Sequence, residues 1–216
     1  FPKLAILAGV MGVGKTSVAK VVAEMLNESD MPVQTYNFGM SVDVQALSSE
    51  VFSLNPAKPR AFIFEEIHGL PRNEQNALLQ MFDTQSPNVH IICTTTEIHK
   101  VLPPIRSRAQ VWEFKLLSDK QLAQLLDDYL ASRGVTMAPQ SKQSLLKACR
   151  GVPRDLLNSA DFAIDGDFNS LQLDSLLGNV SDDLMYSIFC ALKSSPVDFV
   201  SHIEELMEEV SSAKLS

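Results

Sequence analysis

The chain has 216 residues, more than one compact core usually holds, so two or three small units are expected. Hydrophobic residues make up 45% and charged residues 20%, and no apolar run approaches the roughly 18 residues a membrane helix needs, so the composition points to a soluble globular protein with no membrane partner. A formal charge of −8 excludes a broad basic surface, and any nucleic-acid contact must be a local patch or one shared among subunits.

Apolar strands alternate with amphipathic helices through the first half. Leu4 to Leu7 reads as a strand, Lys15 to Leu26 as a helix and Val33 to Phe38 as a second strand. Ala61 to Phe64 and Val89 to Thr94 follow as buried strands with a helix from Arg72 to Phe82 between them, and Gln110 to Phe114 is the last strand. The expected fold is α/β, a wound parallel sheet over residues 1–115. Past Leu117 the strand signal stops: Ser118 caps a helix to about Arg133, Pro139 opens one to Cys149, and Arg154 to Ala163 forms a third, giving a helical lid over 116–168. After the break at Asp165, Gly166 and Asp167, Leu171 to Glu209 reads as two or three more helices interrupted at Pro196, a third unit (169–216) cut short at Ser216. Phe1 is not an initiator, so the chain is expected to be a fragment or the ordered part of a longer protein. Cys93, Cys149 and Cys190 are odd in number and sit in apolar stretches, which predicts buried reduced thiols and a cytoplasmic location.

Gly9, Val10, Met11, Gly12, Val13, Gly14, Lys15 and Thr16 form a complete GxxxxGK[ST] element between a strand and a helix. Glycines there let backbone N–H groups turn toward phosphate, the helix N-terminus adds positive potential, Lys15 reaches the β- and γ-phosphates of ATP, and Thr16 ligates Mg²⁺. About 50 residues past Lys15, the strand Ala61 to Phe64 ends in Glu65 and Glu66. The first acid is placed to hold the Mg²⁺ shell and the second to polarise an attacking water; two solvated acids at a strand end are the bland alternative. Thr94, Thr95 and Thr96 end the next strand, and Arg106, Ser107 and Arg108 follow Pro103 and Pro104; by themselves these are equally strand formers and a solvated turn, and Gly151 to Asp155 is only a helix start.

Taken in order and spacing, these segments resemble the AAA+ ATPase subunits of DNA polymerase sliding-clamp loaders, the γ/τ type shared in lineage with replication factor C, over nearly the whole chain. Gly9 to Ser17 resembles the Walker A loop, Phe64-Glu65-Glu66-Ile67-His68 with Asn76 to Leu79 the Walker B strand and its following helix, and Thr95-Thr96 sensor 1. Ser107-Arg108 resembles the SRC motif and Gly151 to Asp155 the start of the sensor 2 helix. The resemblance implies that Thr96 positions water, that Arg154 senses the γ-phosphate in cis and Arg108 a neighbour's in trans. It further implies a hetero- or homo-oligomer, typically pentameric, of clamp-loader subunits that uses ATP to place a sliding clamp on primer-template DNA. Glu65 stands where aspartate is usual and Ala109 where the SRC cysteine is usual, and the four-cysteine zinc module is absent from the short connection Ser41 to Arg60. These departures point to a divergent, phage-like relative, and Glu65 keeps open a non-hydrolysing ATP-bound scaffold or another AAA+ regulator of protein or DNA. His68, His90, His99 and His202 show no metal spacing and read as structural or surface residues, Trp112 as core, and Glu204, Glu205, Glu208 and Glu209 as a solvated helix face.

Overall fold

The computed structural model describes residues 1–27, 32–40, 42–53 and 58–166. The third helical unit over 169–216, with Cys190, His202 and the acidic run Glu204 to Glu209, lies outside the described residues. The chain divides into two compact units, the first ending at Leu116 and the second beginning at Leu117.

The first unit is a parallel five-stranded sheet with helices. β1 (Leu4–Gly9), β2 (Gln34–Asn37), β3 (Arg60–Glu65), β4 (Val89–Thr95) and β5 (Gln110–Phe114) lie in the order β2-β3-β4-β1-β5. The helices are α1 (Lys15–Leu26), α2 (Val44–Ser53), α3 (Arg72–Thr84) and α4 (Pro103–Arg108). β4 is buried along its whole length and β1 and β3 nearly so, the pattern of strands covered on both faces, which is why they read as continuous apolar runs. Within those runs the side chains alternate. Leu4, Ile6, Phe62, Phe64, Ile91 and Cys93 pack on one face with Val44 and Leu47 of α2, Leu78 and Met81 of α3 and Ile105 of α4. Leu7, Ala61, Ile63 and Ile92 pack on the other against Ala19 and Ala23 of α1, whose small side chains bring that helix close to the sheet.

Two helices come from segments read as connections. α2 stands inside the Ser41 to Arg60 stretch, started by Asp43, whose Oδ1 accepts from the N–H groups of Gln45 and Ala46 at 3.0 Å. α4 replaces the Pro-Pro turn: both prolines sit in a first turn where no N–H is needed, a placement prolines favour. Trp112 is not core. It lies 36% exposed on the edge strand β5, against Phe1 with ring centroids 5.5 Å apart, and with Val18, Val22 and Phe114 it lines an apolar pocket of about 400 Å³.

The second unit carries α5 (Asp119–Arg133), α6 (Pro139–Cys149) and α7 (Pro153–Gly166) around Leu122, Leu126, Leu130, Leu145, Leu156 and Ala160. Ser118 and Gln121 form a reciprocal capping box at the head of α5. Cys93 and Cys149 are buried free thiols; burial pushes both up, Cys149 to about 11. Among the described residues no helix is long and apolar enough to cross a membrane.

Candidate active site

Parallel strands all deliver their C-terminal ends to one edge of the sheet, and here β1, β4 and β3 are consecutive neighbours. The registers set Ala8 against Thr95 and Phe64 against Cys93, so Gly9, Thr96 and Glu65 emerge together. With strands spaced about 4.8 Å apart, the loop after β1 and the acids after β3 stand roughly 10 Å apart across β4. This edge is also a topological switch point, because the chain leaves β1 toward β2 on one side and leaves β4 toward β5 on the other.

The loop after β1 is shaped to bind anions. Gly12 (φ 83°) and Gly14 (φ 96°) take backbone angles that side chains disfavour, and a Cβ placed on Gly14 would meet only open space. Gly9 is constrained differently: a Cβ there would stand 2.3 Å from the carbonyl oxygen of Phe114, its partner on β5. No acid occupies the first turn of α1, so its N-terminal partial charge is left to the loop. Lys15 is 6% exposed, and its Nζ donates to the carbonyls of Gly9 at 2.7 Å and Val10 at 2.8 Å. Thr16 follows, partly buried, with Ser17, Val10 and Met11 exposed around it. This donor set fits a polyphosphate.

At the exit of β3, Glu65 is partly exposed and Glu66 adopts a left-handed conformation, φ 54° and ψ 45°, that costs a non-glycine residue about 1–2 kcal/mol. That turn opens a short 3-10 segment, Ile67–Gly69. Thr96 Oγ1 donates to Glu66 Oε2 at 3.4 Å. Thr95 is buried and belongs to a different contact: its Oγ1 lies 3.0 Å from His68 Nδ1 and accepts from the Glu97 N–H at 3.1 Å. His68 also places Nδ1 3.3 Å from Glu66 Oε2 and Nε2 3.4 Å from Glu97 Oε2. Lys100, 2.8 Å from Glu97 Oε2, holds the Glu97 carboxyl below its usual range. His68, which pattern reading took as a structural or surface residue, and Glu97 thus both stand in contact with the Glu66, Thr95 and Thr96 cluster.

Arg108 stands apart from this cluster within its own unit. Arg108 ends α4, two residues before β5 begins opposite Ala5, at the far end of the sheet from the loop; four strand residues, about 13 Å, separate Ala5 from Gly9. Its guanidinium grips Asp83 of α3 through Nε at 2.7 Å and Nη2 at 3.2 Å, and Nη1 donates to the Pro104 carbonyl. Arg154 is exposed in the first turn of α7, in the helical unit. His90 is buried with Nδ1 3.0 Å from the Pro2 carbonyl, and His99 is exposed.

A family model described as "ATPase family associated with various cellular activities (AAA)" matches residues 5–115. The chain is 26% identical over 215 residues to DNA polymerase III subunit tau of Escherichia coli, an alignment covering 87% of this chain and 33% of that protein. It is 23% identical over 193 residues to DNA polymerase III subunit gamma of Buchnera aphidicola, covering 78% of this chain and 53% of the relative. The chain thus spans about a third of the length of the tau relatives it matches. Among solved structures, the Holliday junction branch migration motor RuvB of Thermotoga maritima superposes with a TM-score of 0.66 at 18% identity, over 94% of this chain and 74% of that one, a likeness of fold.

Proposed function

The chain belongs to the AAA family of ATPases, and from that premise we propose that it is an ATP-hydrolysing subunit of a DNA sliding-clamp loader. The observation that carries the reading is the convergence, at one sheet edge, of the Lys15 loop, the Glu65-Glu66 exit and the Thr95-Thr96 exit, in a chain similar to gamma and tau subunits over most of its length. Lys15 and the loop N–H groups bind the phosphates. Mg²⁺ supplies charge neutralisation at the β- and γ-phosphates, and Thr16 and Glu65 are the residues that would hold it. Glu66 takes the proton of the water that attacks the γ-phosphoryl group, ADP leaves, and Thr96 aligns that water with the base.

The arginines act around this centre. Arg154 senses the γ-phosphate from its own helical unit. Arg108 serves a neighbour, since it stands at the opposite end of its own sheet from the loop. In this reading residues 1–115 form the ATPase domain, 116–168 the lid and 169–216 part of an oligomerisation domain. The partners are other loader subunits, a sliding clamp and primer-template DNA, in the cytoplasm.

Glu65 favours one competing reading, an ATP-bound scaffold that does not turn over, because its extra methylene displaces whatever the carboxylate holds. Steady-state ATP hydrolysis with clamp and primed DNA decides between them. Turnover that rises with both supports the loader ATPase; ATP binding without turnover in any combination supports the scaffold; turnover with no clamp retained in a pull-down indicates an AAA regulator of another target.

A further inference from the structure

We infer that His68 is a positioning residue for the hydrolytic base, tying Glu66 at the exit of β3 to Thr95 and Glu97 at the exit of β4. The inference rests on the ATPase reading of this edge. Glu66 is the first residue beyond its strand, in a left-handed turn, and a glutamate there has three side-chain torsions free to point the carboxylate anywhere over the sheet edge. Two contacts restrict it: the Thr96 hydroxyl at 3.4 Å and the His68 ring at 3.3 Å. The ring makes two further contacts, with Thr95 Oγ1 at 3.0 Å from the same nitrogen and with Glu97 Oε2 at 3.4 Å from Nε2, and the side chain is only 15% exposed. Glu97 is anchored in turn by Lys100 at 2.8 Å and by its own N–H to Thr95. The base is thus referenced, through one imidazole, to the strand that carries Thr96, so that base and water-aligning hydroxyl keep a common frame. Misplacing a reacting group by about 1 Å costs on the order of 100-fold in rate.

The nitrogen facing the base provides the test. In His68→Asn the amide nitrogen overlays Nδ1 and can still reach Glu66; in His68→Gln it overlays Nε2 and reaches Glu97 instead. ATP hydrolysis and ATP binding are measured on the full chain for the parent, His68→Ala, His68→Asn and His68→Gln, with thermal melts showing which variants fold. The expected result is a kcat for His68→Ala lowered about 10- to 100-fold with nearly parental KM and ATP affinity, recovered largely by Asn and little by Gln. In a Glu66→Gln background, His68→Ala should lower the rate no further. If His68→Ala does not fold, the Asn and Gln variants carry the comparison alone. Parental turnover in His68→Ala, equal rescue by Asn and Gln, or an undiminished loss in the Glu66→Gln background would each overturn the inference while leaving the ATPase reading standing. A parent chain that binds ATP and never turns it over would overturn the hydrolytic reading itself, and this inference with it.

Discussion

Lys15 Nζ orders its own loop through the Gly9 and Val10 carbonyls, and the proposed ATPase gives it a second job, contact with phosphate. Lys15→Ala should therefore lower ATP affinity roughly 10- to 100-fold, since a bond to a charged group is worth about 1.5–3 kcal/mol, while the helical circular dichroism signal stays native. Titration with a fluorescent ATP analogue checks this, and unchanged affinity would remove the phosphate-loop assignment. Glu65→Asp should match or exceed the parental rate, because the shorter side chain restores the usual reach; a sharp loss would show that the longer acid is the one this site needs. Lys15, Thr16, Glu65, Glu66 and Thr96 could be proposed from the sequence because each sits within a short, locally spaced motif. His68, Glu97 and Asp83 were not, since what they touch depends on which strands are neighbours and in what register.

Gln75 shows the same dependence among elements. It is 1% exposed on α3, its Nε2 donates to the carbonyls of Leu70 at 3.0 Å and Lys100 at 3.3 Å, and its Oε1 accepts from the Leu102 N–H at 2.9 Å. One amide thus clamps the segment after Glu66 to the segment after Thr96. Gln75→Leu would leave those backbone groups buried without partners, a loss of about 2–4 kcal/mol. A lower urea midpoint with an unchanged slope is the expected outcome; an unchanged midpoint would mean water replaces the amide. The buried strands and the helices α1, α3, α5 and α6 were readable to within a residue or two from apolar runs, caps and the prolines that open them. α2 was not, because its cap is a lone Asp43 and its apolar face is only Val44, Leu47 and Val51. Trp112 was misplaced because an edge strand carries the same aromatic content as a central one and differs only in what covers it.

At the scale of the whole molecule, the arginine that the resemblance assigns to a neighbour is held by its own chain. Asp83 accepts two bonds from Arg108 and its carboxyl is held below the usual range by that contact, so engagement of a neighbour's nucleotide requires the pair to open. An exposed pair of this kind is worth little, which makes opening easy. Arg108→Ala should bind ATP as the parent does yet hydrolyse it poorly in the assembly, with part of the rate returning when it is mixed with Lys15→Ala, which still lends Arg108. No recovery at any ratio, with co-assembly demonstrated, would assign Arg108 to its own chain's structure. Cleavage of ATP at the edge shared by β1, β4 and β3 is tested most directly by phosphate release from the parent and from Glu66→Gln at saturating ATP. The expected result is parental turnover that rises with clamp and primed DNA, against a variant that binds ATP as tightly and releases phosphate about 10²- to 10⁴-fold more slowly; equal rates would contradict it.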